Sequence, residues 1–449
     1  MANIIGTDGN DTLVGNDEAD TIDGKAGDDT ILRGPQTNLG NDTLTGGSGK
    51  DKFVYYYYLG YKNNITDFGG VGKGTNPTAE VIAEVDTLEF QNVARNLLLT
   101  QNGNNLEISF AGSYVTRFIG TSLILQNFAL ENLDNLSTST GSTVDLGNIV
   151  FSGQTSTTDS FDVFNADSTQ STIFNKNTVT FLNDLNNNVS GFDDSDDVIN
   201  GQGGDDIING LGGNDLLRGG IGNDTLVGGA GDDTLVGGIG SDSPTGNNFL
   251  AGDIGNDYLD VEYSIGNNTL NGGDGDDILN AGASSGNNFL SGGDGNDSLS
   301  TSYIVNPLFG VYYSSSNNTL EGGAGDDTLN AQSESGNNLL SGGDGNDSLS
   351  TSGVRSFRSS PNFSSSGNNT LNGGAGDDTL RAEYSTGNNF LSGGDGNDFL
   401  SISDLNSFSY SGYSYGSSSG NNTLKGGAGD DTLSAGASTG NNLHLWRRW

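Results

Sequence analysis

The chain of 449 residues contains no cysteine, a single histidine and only 16 lysines and arginines. The absence of cysteine excludes a disulfide framework and a thiolate metal site. The few basic residues face 57 aspartates and glutamates, which gives a formal net charge of −41. A surface of this charge excludes binding to nucleic acid or to an anionic membrane by electrostatic attraction, and it attracts cations instead.

Long apolar segments are also missing. The longest apolar-leaning stretch, TSLILQNFAL at 121–130, is too short to span a membrane. Hydrophobic residues make up 32 % of the chain, while 74 residues are glycine. A chain this polar buries too little apolar surface to offset the conformational entropy that folding removes. Something other than a large apolar core must therefore stabilise it.

The sequence does contain a nine-residue repeat. From residue 201 it reads GQGGDDIIN, GLGGNDLLR, GGIGNDTLV and GGAGDDTLV, with glycine at most of positions one, two and four, aspartate at six and an aliphatic residue at eight. The glycines predict a turn, and the last three residues, such as Thr225-Leu226-Val227, predict a minimal strand whose middle side chain points inward. Two repeats would make one coil. Stacked coils would form two parallel sheets around a leucine ladder, which begins with Leu226, Leu235, Leu250, Leu259 and Leu270.

The pattern GGxGxDxUx resembles the nonapeptide of the repeats-in-toxin (RTX) proteins, the hemolysin-type calcium-binding repeats. The similarity covers residues 6–54 and 191–442. It implies an all-β fold, a parallel β-roll or β-solenoid, in which Ca²⁺ is bound by loop carbonyls and by the aspartate at position six. The alternative, a disordered glycine-rich linker, gives no reason for an inward leucine in every repeat.

The resemblance assigns a metal-ligand role to the aspartate at position six of each repeat. Ca²⁺ prefers six to eight oxygen ligands, and glycine loops present their carbonyls freely. A carboxylate between neighbouring coils would also cancel the repulsion between stacked divalent ions. The predicted calcium ligands are Asp11, Asp20, Asp29, Asp42, Asp51, Asp197, Asp206, Asp215, Asp224, Asp233, Asp257, Asp277, Asp297, Asp327, Asp347, Asp378, Asp398 and Asp431.

From about residue 237 the repeats alternate between acidic loops, such as GGDGDD at 272–277, and uncharged GNN loops, such as 286–288. Because successive repeats fall on opposite sides of a coil, this alternation predicts calcium along one flank and an asparagine ladder along the other. The alternative is that the GNN loops also bind Ca²⁺ through their carbonyls. Between 192 and 236 both sides carry aspartate, so ions are expected on both.

Four segments are predicted. Residues 1–54 form an N-terminal roll, and 55–190 form a β-rich non-repeat segment with a hairpin signal in NLLLTQNGNNLEISF. Residues 191–242 form a two-sided calcium roll. Residues 243–449 form a one-sided calcium roll with units of 20 and about 50 residues.

The longer units contain insertions rich in serine, tyrosine and phenylalanine, for example TSYIVNPLFGVYYSSS. Insertions on one face of a solenoid often form its binding face, which indicates a possible cell-surface or matrix ligand. Solvated loops without a ligand are the alternative interpretation.

No enzymatic activity is expected. The sequence has no HExxH, its only histidine is His444, and the GxSxG at 412–416 lies inside an insertion rather than between a strand and a helix. The chain is therefore predicted to be a secreted, extracellular calcium-binding structural or adhesive protein. The alternative is the calcium-stabilised module of a secreted protease, lipase or epimerase.

The ends of the sequence bear on export. The start, MANIIGTDGNDTLVGN, has no Sec-type signal peptide. The repeat runs into LHLWRRW at the end, where related secreted proteins carry a non-repetitive signal. This tail indicates either a truncated chain or an unusual export signal.

Overall fold

The computed structural model describes most of the chain. The described residues are 2–16, 18–32, 40–55, 62–74, 76–111, 123–238, 246–302, 304–306, 310–312, 316–331, 336–352, 366–383, 385–402, 419–435 and 440–445. Part of the first insertion, residues 353–365 and 403–418 of the later insertions, and the GxSxG motif lie outside these residues.

The described chain is almost entirely β-structure, which confirms the predicted fold class. It divides into two compact units, Met1–Val189 with Asp197–Gly203, and Ser190–Asp196 with Gly204–Trp449. The finer boundaries at 54 and 242 stay predictions. No helix within the described residues is long and apolar enough to cross a membrane.

In its described residues the first unit contains mostly strands of two to six residues and one short α-helix, α1 (Ala79–Ala83). Three 3₁₀ turns span Ala94–Asn96, Leu130–Asn132 and Thr138–Thr140. The strands are β1 (Asn3–Ile5), β2 (Thr12–Val14), β3 (Thr21–Asp23), β4 (Thr30–Leu32), β5 (Thr43–Thr45), β6 (Lys52–Tyr55), β7 (Asn63–Ile65), β8 (Thr87–Phe90), β9 (Leu97–Asn102), β10 (Asn105–Phe110), β11 (Leu123–Leu125), β12 (Asn135–Leu136), β13 (Leu146–Gly147), β14 (Ile149–Val150), β15 (Phe161–Val163), β16 (Val179–Phe181), β17 (Asn188–Ser190), at the unit boundary, and β18 (Val198–Asn200).

Successive repeats of the first unit alternate between two sheets. One sheet has the order β1-β3-β5-β7-β11-β10-β9, and the other has the order β14-β8-β6-β4-β2. The segment after residue 55 therefore extends both sheets of the roll rather than covering them. Its β9 and β10 pair antiparallel around Gly103 and Asn104, so the predicted hairpin is confirmed.

The second unit is a longer roll built from two kinds of strand. Strands of six residues in one sheet alternate with strands of three residues in the other. The strands are β19 (Ile207–Gly212), β20 (Leu216–Arg218), β21 (Thr225–Ala230), β22 (Thr234–Val236), β23 (Phe249–Ile254), β24 (Tyr258–Asp260), β25 (Thr269–Asp274), β26 (Ile278–Asn280), β27 (Phe289–Asp294), β28 (Ser298–Ser300), β29 (Ile304–Asn306), β30 (Gly310–Tyr312), β31 (Thr319–Ala324), β32 (Thr328–Asn330), β33 (Leu339–Asp344), β34 (Ser348–Ser350), β35 (Thr370–Ala375), β36 (Thr379–Arg381), β37 (Phe390–Asp395), β38 (Phe399–Ser401), β39 (Thr423–Ala428), β40 (Thr432–Ser434) and β41 (Leu443–Leu445).

All coil-to-coil pairing in this roll is parallel and in register. Leu270 lies opposite Leu290 in the six-residue sheet, and Leu279 lies opposite Leu299 in the three-residue sheet. All four leucines are fully buried, and this confirms the predicted ladder. The longer strands differ from the expected three residues because their pairing continues through the glycines of the next loop. Within the first insertion, β29 and β30 form an antiparallel pair.

Two glycines show why the loops need this residue. A Cβ on Gly292 would lie 2.1 Å from Oδ2 of Asp297 in the same loop. Gly293 has a φ of +124°, and its Cβ would lie 2.0 Å from the carbonyl oxygen of Gly273 in the preceding coil. Close stacking and a tightly enclosed carboxylate therefore require the glycines.

Candidate metal sites along the two flanks of the roll

The loops of the second unit stack into two flanks. The acidic flank is defined by its residues at position six, which are Asp215, Asp233, Asp257, Asp277, Asp297, Asp327, Asp347, Asp378, Asp398 and Asp431. The asparagine flank begins with two aspartates, Asp206 and Asp224. Its position-six residues are then all asparagine: Asn248, Asn268, Asn288, Asn318, Asn338, Asn369, Asn389, Asn422 and Asn442. The predicted separation of acidic and GNN loops is present.

Each carboxylate of the acidic flank uses one oxygen to hold the preceding coil. The main-chain N–H of Asp257 donates to Oδ1 of Asp277 at 2.8 Å, and the N–H of Asp277 donates to Oδ1 of Asp297 at 2.8 Å. The same bond recurs along the whole flank. Oδ1 therefore satisfies a buried N–H, and it fixes the carboxylate between two coils.

In most position-six aspartates the second oxygen, Oδ2, has no hydrogen-bond donor. Oδ2 is buried without a hydrogen-bond partner in Asp29, Asp51, Asp224, Asp233, Asp257, Asp277, Asp297, Asp327, Asp347, Asp378 and Asp398. These side chains are 2 % exposed or less. A buried anionic oxygen without a partner is strongly unfavourable, so a cation is the group that fits beside it.

The donor chemistry fits calcium. Within the described residues no group of three or more His, Cys, Asp or Glu side chains could hold a metal ion. A cation next to Oδ2 would therefore be bound mainly by main-chain carbonyls of the glycine loops. Flexible sets of carbonyl and carboxylate oxygens suit Ca²⁺ better than Zn²⁺, which prefers nitrogen and sulfur.

Burial and neighbouring negative charges also raise the pKa values of the position-six aspartates. Burial and the charges of Asp257, Asp297 and Asp276 together raise the pKa of Asp277 to about 7, although the hydrogen bond from the N–H of Asp257 lowers it. Burial is also the main cause of the raised pKa in the other position-six carboxylates. The pKa is raised to about 7 in Asp233, Asp327 and Asp378, and to about 6 in Asp51, Asp224, Asp257, Asp297 and Asp398.

On the asparagine flank an amide takes the place of the unpartnered oxygen. Oδ1 of Asn288 accepts the N–H of Asn268 at 3.2 Å, as an aspartate would. Its Nδ2 donates to the carbonyl oxygen of Gly286 at 2.9 Å and to Oδ1 of Asn318 at 3.1 Å. The loop carbonyl is thus satisfied by a protein N–H. The predicted asparagine ladder is present, and its polar atoms need no cation.

Sequence reasoning missed the serines that support this ladder. Nδ2 of Asn288 also donates to Oγ of Ser284 at 2.7 Å, and Nδ2 of Asn389 donates to Oγ of Ser385 at 3.0 Å. Both serines are buried. The signal was available, because each serine lies four residues before its asparagine in the short GNN units.

A second missed pattern concerns loop positions three and five. Position three carries aspartate or alanine: Asp294 lies opposite Ala324 on one side but opposite Asp274 on the other. Position five alternates asparagine with aspartate, so that Asn296 donates its Nδ2 to Oδ1 of Asp276 at 3.1 Å. In the position-five column, like charges are therefore two coils apart, which weakens their repulsion on an exposed surface.

In the first unit the predicted aspartates form two shorter stacks. The N–H of Asp11 donates to Oδ1 of Asp29, and the N–H of Asp29 donates to Oδ1 of Asp51, each at 2.8 Å. The N–H of Asp20 donates to Oδ1 of Asp42 at 2.9 Å. Asp11 and Asp20 differ from the other aspartates because Oδ2 accepts an N–H of their own loop, at 2.5 and 2.6 Å.

Each stack of the first unit ends on a residue outside the repeat. The N–H of Asp51 donates to Oδ1 of Asp86, whose Oδ2 accepts the N–H of Gly69 at 2.7 Å. The N–H of Asp42 donates to Oδ1 of Asn63 at 2.9 Å. Asp86 was missed, although Asp86-Thr87-Leu88 repeats the Asp-Thr-Leu of the nonapeptides. Asp197 is also buried in this unit, and its Oδ1 accepts the N–H of Asn177 at 3.4 Å.

The family comparison agrees with this geometry. The model of the RTX calcium-binding nonapeptide repeat (4 copies) matches residues 3–35, 36–54, 193–217, 210–244, 245–261, 264–285, 283–302, 312–349, 363–383, 385–401 and 417–439. These residues make up more than half of the chain. The chain therefore belongs to the family of RTX calcium-binding nonapeptide-repeat proteins. The comparison with curated proteins gives no match.

The raised pKa values predict an inverted pH dependence for the metal-free protein. The folded-state pKa of about 7 for Asp277 lies above its ordinary value of 3.8, so the folded state binds more protons between these values. The resulting destabilisation is complete above pH 7 and is relieved as the pH falls toward 4. In calcium-free buffer we therefore expect the far-ultraviolet β-signal, measured by circular dichroism, to be lowest at pH 8 and to increase as the pH falls to 5.5. A β-signal that decreases over this range would contradict the raised pKa values.

Proposed function

We propose that the chain binds a file of Ca²⁺ ions along the acidic flank of its second unit and along the shorter aspartate stacks. The observation that carries this proposal is the row of buried Oδ2 atoms without hydrogen-bond partners. In each site, Oδ2 of the position-six aspartate and main-chain carbonyls of the glycine loops would hold the ion. Bound calcium supplies positive charge between coils whose carboxylates otherwise repel each other.

Beyond residue 248, the proposed ions lie along the acidic flank alone. Asp206 and Asp224 provide carboxylates on the second flank, so ions are expected on both sides of the first coils. From Asn248 onward, amide donors occupy the loop carbonyls of that flank in most coils, for example Gly286 and Gly387. From Asn248 onward, the asparagine flank is therefore proposed to be free of metal.

We further propose that calcium drives folding and that the folded chain is a secreted, extracellular structural or adhesive scaffold without enzymatic activity. Two observations support a structural role. The apolar ladder is one leucine wide per sheet, and the carboxylates of the loops are engaged in stacking the coils. The Ser/Tyr-rich insertions are the candidate contact surface for a cell-surface or matrix ligand.

Calcium dependence of folding is the first test. A tenfold excess of calcium over the dissociation constant stabilises a site by about 1.4 kcal/mol, so a row of sites reaches the ~5–15 kcal/mol net stability of a domain. We expect the far-ultraviolet β-signal at pH 7.5 to be lost in calcium-free buffer and to return on addition of Ca²⁺. Mg²⁺ at equal concentration is the control, since it demands a stricter octahedral site. An unchanged β-signal without calcium would refute calcium-driven folding.

A matched pair of variants tests the ligand assignment. Asp297→Asn removes the charge at position six, while Asp294→Asn removes the same charge at exposed position three of the same loop. Asparagine fits position six because the opposite flank carries it there. We expect Asp297→Asn to reduce the bound calcium by at least about one ion per chain, measured by equilibrium dialysis, and Asp294→Asn to leave it unchanged. Equal losses in the two variants would show that position six is not the ligand.

A further inference from the structure

An alternating column of side chains runs along the outer surface of the six-residue sheet in the second unit. From β23 onward it consists of the residue that precedes each ladder leucine or its equivalent, and we call it the outer column. Its members are Phe249, Thr269, Phe289, Thr319, Leu339, Thr370, Phe390, Thr423 and Leu443. The parallel register places each member directly opposite the next, so a large apolar side chain alternates with threonine at every coil.

The large members of the column are exposed to solvent. Phe249 is 42 % exposed, Phe289 37 %, Leu339 43 % and Phe390 40 %, whereas the neighbouring ladder leucines are fully buried. These side chains therefore add little to the core of the roll. A regular row of exposed apolar groups on a polar protein marks an interaction surface.

The surface around the column carries little charge. The residues two positions further along each strand are Ala251, Asn271, Ser291, Glu321, Ser341, Asn372, Ser392, Lys425 and Leu445, of which Ala251 and Ser392 are buried. Only Glu321 and Lys425 among them are charged. The exposed carboxylates of Asp274, Asp294, Asp344 and Asp395 lie at the C-terminal ends of the same strands, so two copies that meet over the column bring carboxylates together only at that edge.

The size alternation makes the face complementary to itself. We propose that two copies of the chain associate through the outer column, antiparallel and offset by one coil. A two-fold axis perpendicular to the roll and parallel to the strands brings the column of one copy onto the column of the other. With an offset of one coil, each phenylalanine or leucine packs against a threonine of the partner.

The face is large enough for a reversible dimer. With an offset of one coil, eight coils overlap; at about 4.8 Å per strand and an outward width of about 15 Å they give roughly 600 Å² per copy, or about 1,200 Å² in total. This is the lower limit of stable interfaces, so a dissociation constant in the micromolar range is expected. The same two-fold axis places both acidic flanks at one edge of the dimer. Association should therefore strengthen when salt screens that edge.

Sedimentation velocity of the full chain in calcium tests the proposal. We expect a reversible dimer between about 1 and about 200 µM, and a dissociation constant raised at least about tenfold in the Phe289→Thr/Phe390→Thr variant. Threonine occupies the same column in neighbouring coils, so the fold should tolerate it, and circular dichroism verifies this. The matched control is Ile278→Thr, which removes a 48 % exposed side chain from the opposite sheet and should leave association unchanged.

Four results would overturn the proposal. A wild-type chain that is monomeric over the whole concentration range has no such interface. Equal association of the wild-type chain and the double variant, or equal weakening by Ile278→Thr, would place the contact elsewhere. Association that weakens as sodium chloride rises from about 50 to about 500 mM would indicate an interface held by ion pairs rather than by apolar side chains.

Discussion

The structure of the roll depends on how each coil satisfies the buried N–H at loop position six of the coil before it. That N–H points along the stack, and Oδ1 of the next position-six residue accepts it on both flanks. This bond sets the register of the loops, and the glycines permit the close approach that it requires. It also forces a polar side chain with a second, buried polar atom into every loop.

Aspartate and asparagine at position six differ in how this second polar atom, Oδ2 or Nδ2, finds a partner. In asparagine, Nδ2 donates to the loop carbonyl and to the next asparagine, so the coil is satisfied by its own atoms. In most of the aspartates of the second unit, Oδ2 is an anionic oxygen without a donor, and both it and the loop carbonyls suit a cation. The residue at position six thus decides whether a stacked loop needs a bound cation to satisfy its buried polar atoms. A roll with one flank of each kind would need half the calcium of a two-sided roll.

Much of the fold could be predicted from the sequence because its signals are periodic. The buried leucines, the alternation of sheets and the separation of acidic from GNN loops follow from a nine-residue period. The parts without a period were harder to predict. The short helix Ala79–Ala83 and the extension of both sheets beyond residue 55 rest on local turns and long-range pairing. Asp86 and the supporting serines were missed because their roles depend on which coil lies beside them.

The most direct test of the account is the location of the metal ions. Crystals soaked in Tb³⁺, which replaces Ca²⁺ and scatters anomalously, would show every site at once. The account predicts a single file of peaks beside the position-six aspartates of the acidic flank from Asp257 to Asp431, at about the strand spacing of 4.8 Å. It predicts no peak along the asparagine flank from Asn268 to Asn442. A second file along that flank, or no file beside the aspartates, would contradict it.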